Sequence, residues 1–317
     1  MIDVVCLGII VADNAVREVD KMPDPGKLEQ VREIGLYTGG CAVNTGIDLA
    51  KIGLRSAVIG KTGRDGYGDF ILAELQKKGV RTDGIVRETA EKTSSSVVLV
   101  GRDGERSFLH CMGANAHFHE ADIRYDLIEE CSIAFVAGSL LLPEFDGAPC
   151  AQFLKKAKTM GRITALDTAW DARGKWMRTL GPCMPYIDYF LPSYEEAVHL
   201  SGEREPEKIA DVFLGMGVKT CAVKLGKDGC FIKDAKTGEK HVLPTYGNVR
   251  RVDTNGAGDA FCAGFLAGLI RGWGLKDCGL FANAVGTHCI MSAGASTGIR
   301  PMPQIIEFMK NHREELI

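Results

Sequence analysis

A chain of 317 residues with 45% hydrophobic content can bury a sizeable core, as one large α/β domain or two ordinary ones. Its 38 basic and 41 acidic residues leave a net charge of -3 and form no Lys/Arg stripe, which argues against nucleic acid as a partner. Eleven cysteines without CxxC pairs or metal-spaced His partners read as reduced thiols and no structural zinc, and the longest apolar run, 133–143, is too short to cross a bilayer. The start carries Asp3 and no basic segment, so it reads as a first strand, and the expected location is the cytoplasm with no membrane partner.

In chain order, the first strand is predicted to run into Ile9, Ile10, Val11 and Ala12, with Asp13 just past its carboxyl end. Open α/β sheets bind ligands at that edge, although a turn or helix cap explains an isolated acid equally well. Residues 14–38 mix Pro23, Pro25 and Gly26 with alternating runs such as 30–34, and residues 93–112 alternate on both sides of a turn at 102–105. Both read as β insertions. Alternation puts Arg106, Phe108 and His110 on one face and Ser107 and Leu109 on the other. An Arg106 turned towards a ligand would fork with a carboxylate or several hydroxyls; turned to solvent, it would pair weakly with Glu105.

Between the insertions, Gly39-Gly40 introduces a helix at 42–52, followed by a strand at 56–60 and a helix at 67–78. The pattern continues with a strand at 133–138, a helix at 151–160, strands at 163–167 and 189–192, helices at 194–200 and 206–216, and a strand at 220–224. Strands alternating with helices predict a mostly parallel sheet with helices on both faces. No repeat or linker divides the chain, so the expected organisation is one α/β core (1–13, 39–92 and 113–317) with a small β sheet inserted from 14–38 and 93–112.

Several later stretches have turn or cap chemistry. Lys224-Leu225-Gly226-Lys227-Asp228-Gly229 is a turn after a strand, Ser193 precedes a helix holding Glu196, and Lys236-Thr237-Gly238-Glu239 reads as a hairpin turn. Asn283 lies on a helix of small residues. The run Ser292-Ala293-Gly294-Ala295-Ser296-Thr297-Gly298 after it either lets carbonyl oxygens converge or makes a plain C-cap and loop.

The organising stretch is Asp253-Thr254-Asn255-Gly256-Ala257-Gly258-Asp259, followed at once by a segment of helical spacing with Phe261, Phe265 and Leu269 on one face. A glycine-rich loop opening a helix offers unpaired N–H groups and the positive dipole end to an anion. Asp259 then sits where it can accept a proton from a hydroxyl while Gly256, Ala257 and Gly258 steady a transferred phosphoryl group. The same residues also make an ordinary tight turn with an acid against the dipole, and the dipole is expected to lower the pKa of Asp259. A P-loop fails on spacing, since Arg55 stands where a glycine is needed before Gly60-Lys61-Thr62, and no GxGxxG follows the first strand.

This stretch closely resembles the C-terminal motif of the ribokinase-like (PfkB) sugar and nucleoside kinases. Gly39-Gly40-Cys41-Ala42-Val43-Asn44, with Gly53 and Gly63, resembles their N-terminal motif, so the resemblance covers essentially the whole chain. It implies a ribokinase-like α/β fold with an inserted β-sheet lid that closes over a sugar, and an ATP- and Mg²⁺-dependent kinase for a small carbohydrate: a ketohexose, pentose or sugar acid. A nucleoside kinase of the same fold, or a catalytically silent sugar sensor, are the alternatives. By the same resemblance Asp13, Gly39, Gly40, Asn44 and Asp259 hold the acceptor, and Arg106 joins them if its face of the strand looks onto the ligand. Lys224, Gly226, Gly229, Asn283 and Ser193 border the nucleotide, and Glu196 organises Mg²⁺ through water. Asp253, Asn255, Ser292 and Ala295 hold a monovalent cation, K⁺. Two positions depart from the pattern: Ser193 replaces the family's Asn, and Cys41 stands where many ribose kinases have Lys. A homodimer through the lid would cover its open sheet.

Overall fold

The computed structural model describes residues 1–19, 21–102, 106–247 and 249–312, the side chain of Arg106 excepted. Thirteen strands among the described residues form two sheets. The strands are β1 (Ile2–Gly8), β2 (Val11–Arg17), β3 (Glu33–Gly39), β4 (Ser56–Gly63), β5 (Arg81–Glu88), β6 (Ser95–Val100), β7 (Arg106–Cys111), β8 (Cys131–Ser139), β9 (Ile163–Thr168), β10 (Tyr189–Phe190), β11 (Thr220–Lys224), β12 (Cys230–Asp234) and β13 (Lys240–Leu243). The helices are α1 (Cys41–Ile52), α2 (Gly66–Lys77), α3 (Tyr125–Glu130), α4 (Ala148–Thr159), α5 (Met177–Leu180), α6 (Tyr194–Ser201), α7 (Pro206–Gly215), α8 (Ala257–Ile270), α9 (Leu275–Ile290) and α10 (Met302–Asn311).

The large sheet has the order β13-β12-β11-β10-β9-β8-β1-β4-β5, parallel except for the antiparallel β11-β12-β13 end. A strand buried on both faces reads as an unbroken apolar run, and β1 is one: Val4 and Cys6 join the core under α1, α8 and α9, while Val5 and Leu7 join the core under α3, α4 and α7. Strand order reverses between β1 and β8, which opens a crevice at their carboxyl ends.

The small sheet has the order β3-β2-β6-β7, with β2-β3 and β6-β7 antiparallel and β2-β6 parallel. Sequence spacing extended the first strand to residue 12. The chain instead breaks at Gly8 and restarts at Val11, so Asp13 belongs to β2 of the small sheet and not to the edge of the large one. The break is tight, since a Cβ at Gly8 would collide with the Ala137 carbonyl. The alternating run at 30–34 likewise enters a strand only from Glu33. Strand β5 was not expected: its sequence RTDGIVRE is polar, because it forms the large sheet's edge and pairs with β4 alone. No helix among the described residues is long and apolar enough to cross a membrane.

Candidate active site

Helix α8 begins as the sequence indicates. Gly256 takes the left-handed conformation, φ 78°, at its N-cap, where a side chain would also meet Ala295. Next to it, the space beside Gly258 is open except for the Lys224 ammonium, which would lie 3.4 Å from a Cβ there. Asp259, in the first turn, is buried, and its Oδ2 accepts a hydrogen bond of 2.8 Å from Asn44 Nδ2 on α1. This bond brings the two glycine-rich motifs together. The dipole argument for a lowered carboxyl pKa is overturned: burial raises Asp259 above its ordinary value, with Asn44, Lys224 and Cys41 pulling the other way. A raised carboxylate is the better proton acceptor. Asn44 Oδ1 is buried with no partner, so an acceptor stands ready beside Asp259 for a hydroxyl donor.

Asp13, on β2, lines a neighbouring cavity of about 940 Å³ with Thr254, Asn255 and Gly294, next to the loop that opens α8. Gly39 is required opposite it, because any Cβ there would overlap the Asp13 carboxylate, and Gly40, at φ 92°, leaves no room for a side chain against the Ile9 carbonyl. Burial raises the Asp13 carboxyl, which the Ser96 hydroxyl partly offsets. Register places Tyr37, Asp13, Ser96 and His110 in one row across the small sheet, and the Ser96 hydroxyl lies 3.1 Å from His110 Nδ1. Arg106 shares that face by register, but its side chain lies outside the described residues.

Beside Asp259 lies a buried ion pair that sequence reasoning found only by half. Lys224, at the end of β11, donates to Asp167 Oδ1 at 2.6 Å. Burial pushes Asp167 up to about 7 despite that ammonium, with Glu196 and Asp259 adding to the rise. Burial alone would lower Lys224, but Asp167, Cys262 and Glu196 outweigh it and hold the ammonium above its usual range. Asp167 was legible by the reasoning that picked out Asp13, an acid at the end of a buried strand, and was passed over.

Glu196 Oε2 accepts from the Thr168 hydroxyl at 2.8 Å and the Ser193 N–H at 3.2 Å, so Ser193 and its helix hold Glu196 against the cleft. Among the described residues no group of three or more His, Cys, Asp or Glu side chains is disposed to hold a metal ion. Asp253 accepts from the N–H groups of Asn255 and Gly294 at 2.9 and 3.0 Å, and the carbonyls of Asn255 and Ala295 converge on Cys289 Sγ at 3.2 and 3.0 Å. Ser292 contributes the turn, through its N–H to Cys289.

Two cavities meet at α8. One, of about 930 Å³, runs from Phe108 of β7 past Cys41 and Asp259 to Glu196; the other, of about 220 Å³, is lined by Lys224, Gly226, Gly229, Gly258 and Asn283. Asn283 donates to the carbonyls of Leu243 and Pro244, and Gly229, at φ 83°, abuts the Leu243 carbonyl, so both fix the wall of the smaller cavity.

Residues 1–302 match the pfkB family carbohydrate kinase. An uncharacterized sugar kinase of Archaeoglobus fulgidus is 30% identical across 79% of this chain and 97% of its own. The 2-dehydro-3-deoxygluconokinase of Bacillus subtilis is 28% identical across 91% of each chain. In three dimensions, the ribokinase of Arabidopsis thaliana, solved in complex with ribose and ATP, superposes with a TM-score of 0.86 at 25% identity, covering 98% of this chain and 99% of that one.

Proposed function

Because this chain belongs to the pfkB family of carbohydrate kinases, phosphotransferases with an alcohol acceptor, we propose that it transfers the γ-phosphoryl group of ATP to a hydroxyl of a small carbohydrate, with Asp259 as the base. The observation that carries this reading is the buried Asn44–Asp259 pair at the N-terminus of α8, of which Asp259 lines the cleft.

In this reading the acceptor is held by Asp13, Gly39, Gly40 and Asn44, with its reacting hydroxyl donating to Asp259. The hydroxyl oxygen bonds to the γ-phosphorus as the bridge to the β-phosphate breaks; Asp259 takes the proton and ADP leaves. The N–H groups of Gly256 and Gly258 take up charge on the moving phosphoryl group, that of Ala257 being turned back to the Thr254 carbonyl at 3.3 Å, and Lys224 lies beside them. Lys224, Gly226, Gly229 and Asn283 line the nucleotide's place. Mg²⁺ carried on the phosphates supplies charge neutralisation, and Glu196, fixed by Thr168 and Ser193, fits it as a hard oxygen donor acting through water. K⁺ is the proposed occupant of the loop of Asp253, Asn255, Ser292 and Ala295; it would take the Asn255 and Ala295 carbonyls from the Cys289 thiol they now accept from, and stiffen the anion loop.

A second copy of the chain is the proposed cover for the small sheet. Its outer face aligns Ile34, Val16 and Leu99 in one row and Leu36, Val97 and Leu109 in another, with Ile34 and Leu109 69% and 60% exposed. Sedimentation should give a dimer that Ile34→Lys/Leu109→Lys converts to monomer; a monomeric wild type would remove the interface.

The direct test of function is ADP release with ketoses, aldoses, sugar acids and nucleosides as acceptors. Acceptor-stimulated release with at least one carbohydrate is expected, and stimulation by nucleosides alone would replace the reading by its nucleoside alternative.

A further inference from the structure

We infer that Trp170 and Phe108 form an aromatic clamp that takes the acceptor as a closed ring, stacked on its apolar face; this deepens the kinase reading above and rests on it. The two side chains line the same cleft as Asp259, Phe108 from the inner face of the small sheet and Trp170 from the loop after β9. They are 57% and 53% exposed, an unusual state for large rings that line the wall of a cavity.

The loop that carries Trp170 is built to hold it still. Asp171 is buried, and its carboxylate accepts the backbone N–H groups of Arg173, Lys175 and Trp176 at 2.9, 2.7 and 2.6 Å. Trp176 is held at φ 40° and ψ -117°, a positive-φ conformation that costs a bulky residue energy and persists only where its surroundings over-determine it. Its ring stacks on His199 of α6 at 4.8 Å, and Trp170 packs perpendicular to both at 5.0 Å. This strained, anchored loop has no part in the phosphoryl chemistry, and its product is one indole fixed at the cleft wall.

Two aromatic surfaces on one cleft favour a ligand with an apolar ring face and a polar rim. A furanose or pyranose presents such a face through its C–H groups, and a nucleobase through its π surface. An open-chain sugar acid presents neither, and would leave both rings against water.

The test pairs turnover with binding. Trp170→Ala should raise the acceptor KM roughly 5- to 100-fold, the range for losing one stacked ring, while the ATP KM and kcat stay within about threefold, and Trp170→Phe should restore most of the loss. Without ATP, the acceptor should change the tryptophan fluorescence of the wild type in a saturable way, and that change should vanish in Trp170→Phe. Acceptors fixed as rings, such as methyl glycosides and nucleosides, separate the two sources of the ring face, and aldonic acids serve as open-chain comparators. Normal turnover with an unchanged acceptor KM in Trp170→Ala, or a preference for aldonic acids, would overturn the clamp and leave the kinase standing. A saturable fluorescence change with no ADP release from any acceptor would support the clamp and sink the kinase reading.

Discussion

The floor of the cleft and the small sheet above it are built on opposite principles. On the floor, Asp259, Asn44, Asp167 and Lys224 are buried or nearly so, carried on α8, α1 and the ends of β9 and β11, and tied in two pairs, Asn44–Asp259 at 2.8 Å and Lys224–Asp167 at 2.6 Å. On the small sheet, Asp13 is only partly buried, and its neighbours Phe108 and His110 are exposed. Groups that must share charge with a transferring phosphoryl gain from desolvation and fixed geometry, because electrostatic interactions strengthen in a dry site. Groups that choose an acceptor need access to solvent. In the proposed reading the floor does the chemistry, and the small sheet, with Trp170 from the loop after β9, selects the acceptor.

Changing the floor should therefore have the largest effects. Asp259→Asn keeps the side-chain shape and removes the proton acceptor, so kcat in the ADP-release assay should fall roughly 100- to 10,000-fold with ATP binding nearly intact. Turnover within about threefold of wild type would remove Asp259 from the chemistry.

Next in size is Lys224→Met. It strands the Asp167 carboxyl in a buried site, and breaking a buried pair on one side costs on the order of 3 kcal/mol of stability by chemical denaturation. Adding Asp167→Leu should recover most of that loss; no recovery would mean that the pair is not the source of the effect.

The third effect is on pH. Asp259 must be ionised to accept a proton, and burial raises its pKa, so activity should be lost as pH falls through a value above the ordinary aspartate range. Asn44 donates to the charged form and lowers that value. Asn44→Ala should therefore move the acid limb of the kcat profile to higher pH, and an unmoved limb would assign the titration to another group.

The smallest expected effect is ionic. Replacing Na⁺ by K⁺ at fixed ionic strength should raise turnover if the ion proposed beside Asp253 stiffens the anion loop; equal rates in K⁺, Na⁺ and a bulky organic cation would discard the site.

The parallel sheet was legible because its strands are buried on both faces and its helices are periodic: β11 and the body of α1 fall where spacing put them. The contact between Asn44 and Asp259, 215 residues apart, was legible only through the two motifs, since no local pattern encodes it. Three features escaped. Strand β5 lacks an apolar face, the break between β1 and β2 hides in a continuous apolar run, and Trp170 is displayed by backbone bonds to Asp171 that no periodicity reports. The raised Asp259 carboxyl also escaped, because burial decides it and the sequence shows only the helix end.

One comparison tests the division between floor and sheet most directly: kcat and acceptor KM for Asp259→Asn and Asp13→Ala, measured with the same acceptor. The account predicts that Asp259→Asn lowers kcat at least about 100-fold with acceptor KM within about threefold, and that Asp13→Ala raises acceptor KM by more than it lowers kcat. Equal losses of kcat in the two variants, with acceptor KM unchanged in Asp13→Ala, would contradict it.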